Sequence, residues 1–229
     1  MKLSIVVATL NRLPYLKRCI ASISPSCGGL DHEIIVVDGG SHDGTLDWLR
    51  ARRDIITIEQ CYPFGAVHAF NAGFWAAEGE HVAALNDDCI VVGDTLKLAA
   101  DYLDAHPETG QVAIPWYDKG STTRDVQHVE IGLQRLLVIY ANFGVTRRSV
   151  GDAVGWWGTL WEHYGGDCEL SFMILSTGWH VDELPGGAVE HYRVHDDTRR
   201  VCYYNPAFTQ RWYTIDVSSI QKMIEERGK

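Results

Sequence analysis

Two adjacent carboxylates, Asp87 and Asp88, interrupt an otherwise apolar run, HVAALNDDCIVV, at residues 81–92. Repulsion between like charges and the loss of hydration at the end of a buried strand both disfavour such a pair. A positive group beside the pair would offset both costs, and carboxylate oxygens are preferred ligands of Mg²⁺ and Mn²⁺. A solvated acidic turn before the next helix is the structural alternative, so the pair alone is a weak signal.

A third carboxylate, Asp38, ends the apolar run HEIIVVD and precedes the turn-rich segment GGSHDGT. A carboxylate at a strand end can accept a hydrogen bond from an imide N–H, such as that of uracil. Asp also stabilises turns by bonding the backbone that follows it, and the pattern alone favours this second interpretation.

Acids and histidines in the second half offer further chemistry. Asp167 and Glu169 fall at the start of a predicted helix, 167–178, where N-capping and the helix dipole are the default explanation for acids. The functional alternative is a general base. His191 and His195 would share one face of a strand or a helix, and two such histidines can bind a transition metal, although a solvated loop histidine is more common.

An aromatic segment, GWWGTLWEHYGG, precedes the predicted helix at residues 155–166. Trp156, Trp157, Trp161 and Tyr164 could stack on the faces of sugars in a partly exposed loop. The alternative is that some of these rings belong to the core, and the sequence leaves both interpretations open.

The elements that position these residues follow from the hydrophobic pattern. Short β-branched runs predict buried strands at 3–10, 32–40, 54–60 and 81–88, with helices between them at 13–23, 41–53, 66–80 and 95–106. This alternation predicts an open, largely parallel sheet with helices on both faces and a binding crevice at the carboxyl ends of the strands. Thr9, Asp38 and the Asp87–Asp88 pair all fall at those ends.

Composition narrows the function classes. The formal net charge of −10 disfavours sequence-independent binding of nucleic acid, which needs basic patches. No apolar run approaches the ~18 residues of a membrane span. The six cysteines lack metal-binding spacing and fall mostly in apolar segments, which predicts reduced thiols. We therefore expect a cytoplasmic protein, with peripheral docking on a membrane left open.

Taken together, SIVVATLNR, IIVVDGGSHDGT and GAVHAFNAGFWAAEGEHVAALNDDC resemble, in order and spacing, the inverting nucleotide-sugar glycosyltransferases of family 2. The resemblance covers residues 2–100 and resumes at 141–192. It implies an α/β fold of the GT-A type, which is Rossmann-like with a mixed, mostly parallel central sheet and helices on both faces. It also implies a single domain over 1–229, with a nucleotide-binding half at 1–100 and an acceptor-binding half at 101–229.

The same resemblance implies an activity and roles for single residues. A divalent metal, Mn²⁺ or Mg²⁺, would assist transfer of a sugar from a UDP- or dTDP-sugar to a hydroxyl group of a glycan or glycoconjugate, with inversion. Asp167 would be the catalytic base, and Asp88 and His191 would bind the metal. The nucleotide would contact Thr9, Asn11, Asp38, Asn71 and Asp87. The acceptor would stack on Trp156, Trp157, Trp161 and Tyr164.

Two positions depart from the family pattern. Phe70 stands where the family usually has Arg, and Gly166 stands where it has Glu before the catalytic Asp. The missing Glu supports one alternative, a non-catalytic nucleotide-sugar-binding relative, and the two histidines His191 and His195 support another, a His-ligated metalloenzyme. A nicotinamide or flavin enzyme is disfavoured, because VVATLNRLPYL lacks the glycines of G-x-G-x-x-G after the first strand.

Overall fold

The computed structural model describes residues 1–62, 64–131, 135–158, 165–194 and 217–227. Its helices are α1 (Leu13–Ser26), α2 (Thr45–Arg50), α3 (Ala66–Ala76), α4 (Thr95–Ala105), α5 (Arg148–Val154), α6 (Gly166–Ser176) and α7 (Ser218–Arg227). Its strands are β1 (Leu3–Thr9), β2 (His32–Asp38), β3 (Ile56–Glu59), β4 (His81–Asn86), β5 (Cys89–Val92), β6 (Thr109–Ala113), β7 (Trp116–Asp118), β8 (Gln127–Ile131), β9 (Leu136–Tyr140), β10 (Gly144–Arg147), β11 (His180–Glu183) and β12 (Ala188–His191).

The central sheet contains seven strands in the order β11-β6-β10-β4-β1-β2-β3. Strand β1 runs parallel to β2 and β4, and β2 runs parallel to β3, whereas β10 is antiparallel to both of its neighbours. The sheet is therefore mixed but mostly parallel, which confirms the sequence prediction. Thr9 pairs with Asp38 in register, and Ala8 pairs with Asn86, so the carboxyl ends of three strands meet at one edge.

Two hydrophobic clusters cover the two faces of this sheet. Leu3, Ile5 and Val7 alternate along β1 and pack with apolar residues of α1 and α4. Val6 points to the other face and packs with residues of α3, α5 and α6. The period of two along an extended strand produces this division. Helices on both faces are thus confirmed, and the predicted binding crevice at the carboxyl ends of the strands stays a prediction.

A second sheet, in the order β5-β12-β7, was not predicted as a separate unit. Its strand β12 is antiparallel to β5 and places His191 opposite Cys89. In the sequence, the short run CIVV looks like a continuation of strand β4 beyond the acidic pair. No local pattern indicates that CIVV pairs with a strand about 100 residues later. This pairing brings the late histidine beside the carboxylates.

The remaining sequence predictions concern local order and environment. The segment 135–150, whose apolar run RLLVIYANFGVTRRSV is typical of a strand, a turn and a helix start, contains β9, β10 and the first residues of α5. Of the cysteines in the described ranges, all are free thiols; four are buried and Cys61 is exposed. None of the helices within those ranges combines the length and the apolar character needed to cross a bilayer.

Candidate functional site

The carboxylate pair is buried at the end of β4, beside the ends of β1 and α1. Asp87 and Asp88 are 4% and 6% exposed. The hydroxyl of Thr9 donates to Asp87 Oδ2 over 2.8 Å, and Arg12 Nη1 donates to Asp87 Oδ1 over 3.1 Å. The same Arg12 nitrogen lies 3.8 Å from Asp88 Oδ2. A positive group near the pair was expected, and in this structure a guanidinium fills that role.

Asp88 faces the second sheet. His191 Nε2 lies 3.1 Å from Asp88 Oδ1, and the backbone N–H of Val194 donates to Oδ2 over 2.9 Å. The backbone N–H of Tyr192 donates to the carbonyl of Asp88 over 2.9 Å. The structure thus brings together the two residues that the sequence comparison paired as metal ligands.

The two neighbouring carboxyls differ in pKa. Burial, opposed by the charge of Arg12, raises the pKa of Asp87 to about 6. Burial also acts on Asp88, but the hydrogen bonds from His191 and Val194 outweigh it and hold the pKa of that carboxyl below its ordinary value. Asp88 is therefore the more acidic of the two and the better anionic ligand at neutral pH.

The donor atoms at this point fit a divalent cation. Carboxylate oxygens suit Mg²⁺ and Mn²⁺, and an imidazole nitrogen is also a common ligand of first-row transition metals. Asp88 and His191 present one carboxylate and one imidazole already in contact. All four carboxylate oxygens of the pair have partners within the protein, so a cation bound there would share these oxygens with the present donors or displace them.

Asp38 combines both of the interpretations considered for it. Its Oδ1 accepts hydrogen bonds from the backbone N–H groups of Gly40 at 3.0 Å and Ser41 at 2.8 Å, which is a turn-stabilising role. Its Oδ2 is buried and has no hydrogen-bond partner among the described residues. Buried acceptors are rarely left unpaired. The second oxygen therefore offers one acceptor position to a ligand at the end of β2.

Asn11 connects the end of β1 to the loop that follows β2. It has a φ of 53°, in the left-handed region that Asn tolerates better than most residues. Its backbone N–H donates to Ser41 Oγ over 2.8 Å, and its Oδ1 accepts from the N–H of His42 over 2.7 Å. Asn11 thus fixes the position of the loop that follows Asp38.

Asn71, on α3, uses its whole amide group within the protein. Its Nδ2 donates to the carbonyl of Trp157 over 2.8 Å, and its Oδ1 accepts from the N–H of Trp157 over 3.1 Å. Direct nucleotide contact by Asn71 stays a prediction, and in the structure the residue fastens the chain after α5 to helix α3.

The acceptor-stacking prediction is wrong for Trp156 and Trp157. Their rings are 2% and 8% exposed and belong to the core. Trp156 stacks on Phe74 with ring centroids 4.7 Å apart, and Trp157 packs on Phe70 at 4.5 Å. The chain reverses at Gly155, at a φ of 86°, and this reversal turns both rings toward α3. Trp161 and Tyr164 lie outside the described residues, so their predicted role stays a prediction.

Trp157 also accounts for the two departures from the family pattern. A Cβ added at Gly166 would lie 2.5 Å from Cε3 and 2.6 Å from Cδ2 of the Trp157 ring. The Trp157 ring also packs on Phe70, which is the second residue that departs from the resembled pattern. The Trp157 ring thus contacts both positions, 70 and 166, at which this chain lacks the charged residue of the resembled pattern. Both unusual residues make room for, or pack on, one indole ring.

Asp167 lies in the first turn of α6, after an N-cap at Gly165. Asp167 is therefore not the N-cap, which was the structural alternative, but lies two residues after it. Asp167 Oδ1 accepts from the N–H of Cys168 over 2.8 Å. Part of the Asp167 residue reaches solvent, but its carboxyl group is buried. This burial raises the pKa of the carboxyl to about 6. Such a carboxylate is deprotonated but still basic near neutral pH.

A second acidic group lies at the opposite edge of the sheet, where β4 begins. Ligand atoms of Glu80, His81 and Asp104 lie within 4.8 Å of one another, which makes the group a possible metal site. Lys2 Nζ is 2.7 Å from a carboxylate oxygen of Glu80 and 2.7 Å from one of Asp104. The ammonium group already balances these carboxylates, and the group is separate from the crevice.

Sequence reasoning missed Arg12 and the backbone N–H of Val194. Arg12 follows the strand end directly, as the last residue of SIVVATLNR, so its position could have marked it as a partner for the acids at the neighbouring strand end. The contact of Val194 depends on the path of the chain after β12 and carries no sequence signal.

Comparison with known proteins gives a consistent picture. The sequence model of the family described as Glycosyl transferase family 2 matches residues 4–158. An uncharacterized glycosyltransferase of Nostoc sp. is 40% identical over 93 residues, which are 38% of this chain and 28% of that protein. A PGL/p-HBAD biosynthesis glycosyltransferase of Mycobacterium tuberculosis is 34% identical over 109 residues, which are 45% of this chain and 42% of that protein. The match thus spans less than half the length of either curated relative.

Solved structures share the fold over most of the chain. TarS of S. aureus, in complex with UDP-GlcNAc, superposes with a TM-score of 0.71 at 16% identity, covering 99% of this chain and 71% of that one. A mannosyltransferase of Pyrobaculum calidifontis, in complex with GDP-Man and Mn²⁺, gives a TM-score of 0.68 at 18% identity, covering 87% of this chain and 59% of that one. The fold is therefore of the GT-A type, in a single domain.

Proposed function

Because this chain belongs to glycosyl transferase family 2, we propose that it transfers a sugar from a nucleoside diphosphate donor to a hydroxyl group of a glycan or glycoconjugate, with inversion and with the help of Mn²⁺ or Mg²⁺. The observation that carries the proposal is the meeting of three groups at one sheet edge. A free carboxylate oxygen of Asp38, the buried Asp87–Asp88 pair and His191 all lie at or beside the carboxyl ends of β1, β2 and β4.

The base of the donor is the first part of the substrate that this edge can distinguish. Asp38 Oδ2 can accept one hydrogen bond, and uracil and thymine each carry one imide N–H for it. Cytosine presents an acceptor at that ring position, so the imide bond would be lost, and an unpaired buried acceptor costs about 1–3 kcal/mol. This supports a uridine or thymidine diphosphate donor, with Thr9 and the loop held by Asn11 as further walls of the pocket.

Asp88 and His191 would hold the divalent metal. Bound there, the metal would stabilise the negative charge that develops on the leaving diphosphate. Thr9 and Arg12 hold the carboxylate of Asp87 next to Asp88. The bond from Thr9 would keep Asp87 in position to contact the ribose or a metal-bound water.

Asp167 is the proposed base that takes the proton of the acceptor hydroxyl as that oxygen attacks the anomeric carbon. A pKa of about 6 suits this role, because the carboxylate is free at neutral pH yet basic enough to accept a proton. The contact of Trp157 with Gly166 fixes the start of α6 against α3. We therefore expect catalysis without the family's preceding Glu, and place the acceptor side of the site in residues 101–229.

The buried free thiols at Cys19, Cys27, Cys89 and Cys168 support a reducing location, so we propose the cytoplasm.

A screen of nucleoside diphosphates by thermal shift, with and without Mn²⁺, tests the proposal directly. Uridine or thymidine diphosphate with Mn²⁺ should raise the melting temperature, because a ligand at 100 times its dissociation constant adds about 2.7 kcal/mol of stability. Incubation of a UDP-sugar with candidate acceptors should then release UDP. Binding without release from any donor would favour the non-catalytic alternative, and no binding of any nucleotide would contradict the proposal.

A further inference from the structure

Arg12 occupies a fixed place between the nucleotide edge and the proposed metal ligands. Its backbone carbonyl accepts the N–H groups of Tyr15 and Leu16, both over 3.0 Å, so its Cα is held where α1 begins. Its side chain is 16% exposed and reaches both carboxylates through Nη1. The guanidinium therefore provides positive charge to the Asp87–Asp88 pair.

A dication at this pair would change the balance of charge. Two carboxylates carry two negative charges, and Arg12 alone offsets one of them. A bound Mn²⁺ would offset both, and it would then repel the nearby guanidinium. Because Arg12 Nη1 bonds Asp87 Oδ1 and lies within 4 Å of Asp88 Oδ2, the guanidinium and a bound dication would compete for the charge of the same two carboxylates.

The diphosphate of the donor brings a new anionic partner to the same place. Phe70, on α3, is an uncharged residue that packs on Trp157. Helix α3 therefore supplies no charge from that position. Arginine binds phosphate oxygens through a planar fork of N–H donors, which makes it well suited to accept a diphosphate.

We propose that Arg12 exchanges partners during binding: it holds the Asp87–Asp88 pair in the metal-free protein and binds the diphosphate of the donor once a dication has taken the carboxylates. The inference rests on the proposed function, since it assumes a metal and a diphosphate at this edge. Arg12 then serves twice, first as a counter-charge that keeps the carboxylates together and later as a ligand of the leaving group.

The variant Arg12→Gln separates these two roles, because it removes the charge and keeps some hydrogen bonding. Binding of Mn²⁺ alone, measured from the electron paramagnetic resonance signal of the free ion, should become about tenfold tighter when the competing cation is lost. Binding of nucleoside diphosphate in saturating Mn²⁺, measured by calorimetry, should become about tenfold weaker. Uridine and guanosine diphosphate are both titrated, and the one that binds the parent protein more tightly is used.

Two further variants complete the experiment. Arg12→Lys retains the charge but loses the fork, so Mn²⁺ affinity should stay near the parent value while nucleotide affinity falls. Arg52→Gln removes a partly buried arginine that pairs with Asp54 near the start of β3, away from Asp87 and Asp88, so both affinities should be unchanged. If Arg12→Gln folds poorly, the Lys variant still tests the nucleotide role.

The opposite signs of the two effects distinguish partner exchange from a structural role. If Arg12→Gln binds both Mn²⁺ and nucleotide more weakly, or binds Mn²⁺ with unchanged affinity, the inference is overturned while the proposed function stands. Failure of Mn²⁺ and nucleotide to bind the parent protein contradicts the proposed function, and the inference with it.

Discussion

Replacing Asp167 by Asn removes a charge from the first turn of α6 and keeps the size of the side chain. In the parent protein, burial raises the pKa of this carboxyl from 3.8 to about 6. The protonated acid is therefore favoured by folding, and the stability it provides is present below about pH 3.8 and is lost as pH rises through about 6. Asn resembles the protonated acid and should retain that stability at every pH.

The size of the effect follows from the pKa difference. A difference of about 2.2 between 3.8 and about 6 corresponds to about 3 kcal/mol, because each pKa unit equals about 1.36 kcal/mol. For a chain of 229 residues, this is a rise of roughly 6–12 °C in melting temperature at pH 8. The gain should shrink toward zero at pH 3.5, where the parent carboxyl is protonated in both states.

Catalysis should respond in the opposite direction. As the general base, Asp167 would contribute about 10²–10⁴ to the rate, so Asp167→Asn should lose sugar transfer by that factor while nucleotide affinity barely changes. In the parent protein, kcat/KM should rise with pH through about 6, as the base loses its proton. Glu169→Gln, which removes an acid from the same helical turn, is the matched control and should lose far less activity.

Turnover, nucleotide affinity and melting temperature are measured on the same two variants at pH 3.5 and 8. A more stable but inactive Asp167→Asn protein is the expected outcome. Parent-like turnover in that variant would refute the base assignment. A variant that is less stable at pH 8 would show that the carboxylate stabilises the helix start more than its burial costs, and would refute the argument from pKa.

Three further predictions concern the nucleotide, the metal and the departure at Gly166. Asp38→Asn should bring the stabilisation by uridine diphosphate down to that by cytidine diphosphate in a thermal-shift assay, and equal stabilisation of the parent by both nucleotides would count against the imide contact. Asp88→Ala and His191→Ala should each weaken Mn²⁺-dependent nucleotide binding in calorimetry; unchanged affinity in both would rule out a shared metal site. Gly166→Ala should cost about 1–3 kcal/mol of stability, because the Cβ of the new alanine would overlap the Trp157 ring. Trp157→Leu introduces a smaller side chain, so in the double variant the cost of Gly166→Ala should be reduced. Chemical denaturation measures this coupling, and purely additive losses would show that the two residues do not share the space.

Periodicity determined the architecture from the sequence alone. The alternating strands and helices of the first hundred residues predicted a largely parallel sheet covered on both faces. Parallel strands place their carboxyl ends at one edge, so Thr9, Asp38 and the acidic pair were expected there together. This inference works because the rule for a parallel sheet depends on local patterns that each segment carries by itself.

Contacts between distant segments were decided only by the tertiary structure. Strand β12 pairs with β5 and brings His191 to Asp88 across 103 positions of sequence, and no local pattern specifies that register. The same holds for Trp157, whose glycine-rich surroundings read as an exposed loop. Its burial depends on contacts with Asn71 and Phe70 of α3 and on the absence of a side chain at Gly166. These residues come together only when three separate segments of the chain pack. Side-chain type can be read residue by residue, but the free volume and the partner that a side chain finds exist only in the folded chain.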